Sequence, residues 1–289
     1  MSLRLKFNLV MLFALAIGYV LIGYFSWVVL ERNAREEVVA KARVMYESAL
    51  AIRSYTVDEV RPLLHNVETD EFLPQTVPSY AAQTNFKRVR DVIGDYTYKE
   101  AALNPTNPAD RATDWEADII RAFRNRDTDK ELIVERNGGT GPMLALANPV
   151  RITNEGCLAC HSTPEAAPDA MRALYGDSNG YGWNLGEVIG AQIVSVPMSV
   201  PLERARQSFY TVMGSLAVAF LVVLLVMNLM LGLIVVRPIE RLTELADEVS
   251  LGNLDAPEME ARGGGEIASL TESFNRMRRS LENALRMIE

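Results

Sequence analysis

The sequence predicts a membrane-anchored α+β protein. Two transmembrane helices bracket one external domain with a long N-terminal helix, and a helical bundle follows the second span. Three observations carry this. No residue from Phe7 to Leu30, or from Gln207 to Val236, is charged, and each run is long enough to cross a bilayer as a helix. The stretch between them, 31–206, passes from helical periodicity to short β-branched runs and is large enough for a core of its own. After Arg237, apolar residues recur at intervals of three and four.

The charges around the spans set an orientation. Arg4 and Lys6 precede the first span, Glu31 follows it, and Arg237 and Arg241 follow the second. The positive-inside rule places both termini in the cytoplasm and 31–206 outside. Residues 1–6 are then a cytoplasmic N-terminus, 7–30 and 207–236 the spans, and 237–289 a cytoplasmic tail. The first apolar run exceeds a signal-peptide core and has no A-x-A site before Glu31, so it reads as an uncleaved anchor. Tyr19, Tyr24 and Trp27 lie towards its outer end, where interfacial aromatics belong. A net charge of −8 without a polybasic cluster argues against a nucleic-acid partner.

Within the external region, Val38, Ala42, Met45, Ala49 and Ile52 follow helical spacing, so a helix continues out of the first span from Glu31 to about Leu64. Arg61-Pro62 ends or kinks it. A second helix is expected from about Tyr80 to Ile93, and a rigid loop at Asn104-Pro105-Thr106-Asn107-Pro108. Asp114 to Arg124 forms an amphipathic helix with Trp115, Ile119 and Phe123 on one face. Glu131–Arg136, Pro142–Val150 and Val188–Val196 read as strands.

Cys157-Leu158-Ala159-Cys160-His161 carries the chemistry. C-x-x-C-H is the attachment sequence of a c-type haem. Two thiols add to the haem vinyl groups, and the adjacent imidazole reaches the iron. The chain has two cysteines and two histidines in all. A zinc site would need all four, including the distant His65. A thioredoxin-like redox pair or a structural disulfide would leave the adjacent histidine to chance. A covalent haem also requires an oxidising compartment, which agrees with the external placement.

Further stretches surround the motif: Arg53-Ser54-Tyr55-Thr56, Arg61-Pro62-Leu63-Leu64, Asn104 to Pro108, Trp115-Glu116, Ala147-Asn148-Pro149-Val150, Tyr181-Gly182-Trp183, Gly190-Ala191 and Val196-Pro197. With it they resemble the haem-c-binding sensor domain of PAS-like fold found at the extracytoplasmic face of bacterial signalling proteins. The resemblance implies one haem c, covalently held by Cys157 and Cys160 with His161 axial. Candidates for a sixth ligand are His65 and Tyr55, then Met45, Met143, Met171 and Met198, or the position is open. Trp183 is placed to pack on the haem edge, and Arg151 and Arg172 to pair with propionates.

In the tail, Ile239, Leu242, Ala246 and Val249 form one apolar stripe. Ile267, Leu270, Phe274, Met277, Leu281, Ala284 and Ile288 form a second. Pro238, Gly252-Asn253-Leu254, Glu266 and Phe274-Asn275-x-Met277 resemble the HAMP domain. That family usually has Asp-Glu-x-Gly where this chain has Gly265-Glu266-Ile267-Ala268. One chain cannot bury both seams, so a homodimeric four-helix bundle is expected.

The expectation is a multi-pass sensor in the bacterial inner membrane. It would read redox state or a diatomic gas at the haem and relay it through HAMP, in contact with membrane lipid. No catalytic constellation is evident, so the chain is not expected to be an enzyme. With the seam still running at Glu289, the output lies beyond it or in a partner in trans, such as a kinase or chemotaxis-type output protein. The alternatives are a membrane-anchored c-type cytochrome carrying electrons, which needs an anchor but no HAMP, and an assembly subunit.

Overall fold

The structure, a computed structural model, describes residues 3–64, 67, 69–126, 130–139, 141–253, 257–260 and 264–287. Of the residues singled out above, His65, Leu254 and Ile288 lie outside the described set. The chain divides into two units, Val28–Gln207 and Met1–Trp27 with Ser208–Glu289.

Helix α1 (Leu3–Tyr55) is followed by a π-turn (Thr56–Val60) and a last α-turn (Arg61–Leu64). Arg61 N–H bonds the Thr56 carbonyl, five residues back. Pro62 explains the widened turn: it has no N–H to give, and its ring crowds the carbonyl four residues earlier. The interruption expected at Arg61-Pro62 is therefore a local widening just upstream, and the helix runs on to Leu64. The same pattern recurs at Leu231–Val236, where Arg237 N–H bonds the Gly232 carbonyl ahead of Pro238.

In the larger unit, α2 (Pro78–Ile93) leads into β1 (Thr97–Ala102). Helix α3 (Asp114–Arg126), β2 (Leu132–Gly138) and β3 (Gly141–Arg151) follow. Two short helices, α4 (Leu158–His161) and α5 (Asp169–Tyr175), then precede β4 (Val188–Pro197). The four strands form one antiparallel sheet in the order β1-β4-β3-β2. The expected strands and long helices all form. Strand β1 and the two short helices were not anticipated.

The sheet is buried on both faces, and its sequence shows why. Along β3, Leu144 and Leu146 face one side while Ala145 and Ala147 face the other. The Leu side packs with Val194 and Val196 against Val38, Ala42 and Ala49 of α1 and Ala82 and Phe86 of α2. The Ala side leaves room for the bulk of α3, where Ile119, Ile120 and Phe123 meet Ala191 and Ile193. The start of α3 is held by Glu116, which accepts from Thr113 N–H at 2.8 Å and from Lys99 Nζ at 2.7 Å. Ion pairs Arg35–Glu135 and Arg43–Glu131 hold the rim of α1 to β2 and the residue before it.

In the other unit, two helices are long and apolar enough to cross a membrane: the first part of α1, and α6 (Ser199–Met230). They pack antiparallel in one consistent register. Trp27 meets Phe209 edge-on at 5.4 Å, Tyr19 donates to the Met213 carbonyl at 3.4 Å, and Asn8 Nδ2 donates to Asn228 Oδ1 at 2.9 Å. Gly23 is where the helices approach closely; a Cβ there would lie 3.1 Å from Met213 Cε. Helices α7 (Arg237–Ser250) and α8 (Glu266–Arg286) follow. Within the single chain α7 buries Leu242 and Val249, and α8 buries Ala268, Thr271, Asn275 and Arg278. Leu270, Met277 and Leu281 stay 52%, 60% and 45% exposed. The predicted seam is thus offset from the face that the chain covers by itself.

Candidate cofactor site

The cysteine motif is held by a short chain of local bonds. Asn154 caps the turn before it, accepting from Gly156 N–H at 2.8 Å, and Cys157 N–H bonds the Asn154 carbonyl. Cys157 leads directly into α4, which carries Cys160 and His161 on a single turn. Both thiols are free and half-buried.

His161 is fixed more tightly than the motif requires. Its Nδ1 lies 2.7 Å from the Gly180 carbonyl and 3.4 Å from Thr106 Oγ1. Trp183 stacks on the imidazole, with ring centroids 3.8 Å apart and planes 13° apart. Burial holds the His161 pKa below the usual histidine value, and the Gly180 carbonyl opposes that in part. Gly180 adopts φ +83°, and a Cβ there would fall 2.0 Å from Thr106 Oγ1. Only glycine allows this contact between the two loops.

The end of α1 supplies charge around the thiols. Arg53 donates to Glu100 at 2.6 Å, and Glu100 also accepts from Tyr98 Oη at 2.8 Å and binds Gln83 through its own backbone N–H. Burial works against the Arg53 charge, yet Glu100, Tyr98 and the nearby Cys157 together keep its pKa above the ordinary guanidinium value. Burial pushes the Cys160 thiol up, while Arg61 pulls it down.

The other expected residues are placed as follows. Arg151 Nη1 donates to the Gly186 carbonyl at 2.7 Å. Arg172 pairs with Asp169, and its Nε is buried with no partner among the described residues. The same holds for Asn148 Nδ2, on the α1 side of the sheet beside Gln192. Tyr55 is 62% exposed, Met45 is partly buried, and Met143, Met171 and Met198 are buried. Trp183, expected at a haem edge, stacks on the imidazole of His161. Arg53, Thr106 and Gly180 were not singled out individually as site residues; Arg53 and Thr106 lay inside stretches that carried the family resemblance.

The donor set fits a covalent haem. Two unpaired thiols and an imidazole share one short turn. The carbonyl at Nδ1 leaves Nε2 as the free donor, and two buried N–H groups, on Arg172 and Asn148, are available to acceptors.

Residues 31–197 match the family described as Tll0287-like. The chain belongs to the Tll0287-like family. Residues 230–283 of this Tll0287-like protein match the HAMP domain. Among solved structures it is similar to the crystal structure of the cyanobacterial heme-protein Tll0287, at 19% identity and a TM-score of 0.42, covering 56% of this chain and 95% of that one. No curated protein matches it.

Proposed function

We propose that this Tll0287-like, HAMP-containing chain is a transmembrane signalling sensor whose external domain, read as PAS-like, carries one covalent haem c. Cys157 and Cys160 would form the thioethers, and His161 Nε2 would be the axial ligand. The observation that carries this is the arrangement of Cys160 and His161 on one turn after Cys157, with the imidazole already held through Nδ1. When bound, the haem supplies a redox centre and an iron whose sixth position decides between electron storage and gas binding.

The chain's own residues would do the rest. Arg53 and Glu100 tie the end of α1 to the sheet beside Cys157, so a change at the motif can alter how α1 packs. Two packings of similar energy, biased by a few kcal/mol at the site, suffice for a relay. HAMP supports signal relay over simple electron carriage, since an anchored cytochrome needs a span and nothing more. Dimerisation through HAMP, an external haem domain, cytoplasmic termini, an inner-membrane location and a non-catalytic output in trans belong to the same reading.

The test is covalent attachment. Made with a periplasmic haem-attachment system, the protein should keep its haem stain in a denaturing gel. Cys157→Ser with Cys160→Ser should abolish it. Retention of the stain by the double variant would overturn the assignment.

A further inference from the structure

We propose that two loops clasp His161 in the Nδ1–H tautomer independently of any metal, making Gly180, Thr106 and Trp183 positioning residues for the axial ligand. This rests on the haem reading above for its purpose, though not for its geometry.

The tautomer follows from elementary chemistry. A carbonyl oxygen carries no proton, so a 2.7 Å contact between His161 Nδ1 and the Gly180 carbonyl requires the proton on Nδ1. In the neutral ring Nε2 then keeps its lone pair. Thr106 Oγ1, at 3.4 Å from the same nitrogen, is a second acceptor on that side. The hydrogen bond made by one ring nitrogen thus decides the state of the other.

Three further contacts fix the ring's direction. The Trp183 indole covers one imidazole face at 3.8 Å. Trp183 N–H bonds the His161 carbonyl at 3.2 Å, and Gly182 N–H bonds the Ser162 carbonyl at 3.0 Å. These are carbonyls that a helix end leaves without intrahelical partners, so the loop docks where α4 needs donors. The Gly180–Thr106 contact, closed to any larger residue, joins the loop over 104–108 to the loop over 180–183. The imidazole is gripped at Nδ1, on one face and through its own backbone. Ordinary loop packing would constrain the backbone and leave the ring free to turn. A strong Nδ1–H···O bond also makes Nε2 a better donor, which favours the more oxidised state of a bound metal.

The test uses the full chain in haem-free and haem-bound forms. Nitrogen-15 NMR of the haem-free protein resolves two histidines, and His65→Asn assigns them. His161 should be in the Nδ1–H form, and Gly180→Ala should shift it towards a mixture. In the haem-bound protein, Trp183→Leu should change the anisotropy of the ferric EPR signal and raise the midpoint potential, while Trp183→Phe restores both. An Nε2–H tautomer in the wild type would overturn the clasp. So would an unchanged EPR signal and potential in Trp183→Leu with haem still attached. If Gly180→Ala fails to fold, the Trp183 pair and the wild-type tautomer still decide it. Failure of the wild type to take up haem would instead sink the functional reading, with the tautomer measurement still testing the clasp.

Discussion

Arg53 of α1 and Glu100 of β1 form an ion pair on the inner face of the sheet, where Glu100 is only 9% exposed. Glu100 cannot turn to solvent: its carboxylate also accepts from Tyr98 Oη, and its backbone N–H is bonded to Gln83 of α2. Breaking a buried pair from one end is much worse than replacing both ends. Arg53→Met should lower stability by about 3–5 kcal/mol, because an uncompensated carboxylate remains. Arg53→Met with Glu100→Leu should recover most of that. Urea unfolding of the two variants in detergent checks it; equal losses would mean the pair is not what holds α1 to the sheet.

Asp110 gives a pH signature. Burial raises its pKa above the ordinary aspartate value of 3.8, Gln83 pulls it back, Glu100 raises it further and Lys99 lowers it. A carboxyl with a raised folded pKa contributes stability that is present below its unfolded pKa and lost as pH rises through the folded one. Wild-type stability should therefore carry a falling component as pH climbs from about 3.8 into the raised range. Asp110→Asn should remove that component and be the more stable protein at neutral pH. Tm against pH for the two proteins, compared as a difference, is the measurement. A flat difference would contradict the direction of the shift.

The tail makes a sharper prediction than its heptads alone allow. Phe274 is half-buried within the chain, whereas Met277 is exposed, so Met277→Asp perturbs the seam without disturbing the chain's own packing. In a two-chain bundle it would place like charges against each other in a desolvated seam, costing several kcal/mol. Cross-linking through a cysteine at Leu281 should be lost while haem stain stays normal. Unchanged cross-linking would remove the dimer seam and strengthen the anchored-cytochrome alternative.

Much of this was legible in the residues. The Leu-Ala alternation in β3 and the β-branched run in β4 declare strands because each side chain meets a wall. Strand β1 was not legible. Thr97-Tyr98-Lys99-Glu100-Ala101-Ala102 is rich in helix formers, and only pairing with β4 along the sheet edge makes it a strand. The motif announced two thiols and an imidazole. Nothing local announced Arg53–Glu100, separated by 47 positions, or the Gly180 carbonyl, since a backbone acceptor has no residue-type signature. The offset between the predicted seam and the buried face of α8 has a similar cause. Periodicity identifies an apolar stripe but not which partner covers it.

The two spans offer a last test. Asn8 and Asn228 are amides inside apolar runs, bonded to each other at 2.9 Å, and Asn228 Nδ2 also bonds the Leu224 carbonyl. In hydrocarbon such a bond favours the register that forms it, by about 0.6–1.7 kcal/mol in measured cases. Asn8→Leu leaves Asn228 Oδ1 without its donor and should lower the equilibrium constant for the native register about 3- to 18-fold. Register is readable at the other end of the pair: Gly23→Cys with Met213→Cys places thiols where a Cβ and the Met213 side chain already touch. Oxidative cross-linking of that pair should be rapid in the otherwise native chain and slower with Asn8→Leu. Adding Asn228→Leu removes the second unpaired amide and should restore part of the rate, because neither helix then carries an amide without its partner. If Asn8→Leu cross-links at the native rate, the register is set by the Gly23–Met213 and Trp27–Phe209 contacts alone, and the amide pair has no part in holding the spans.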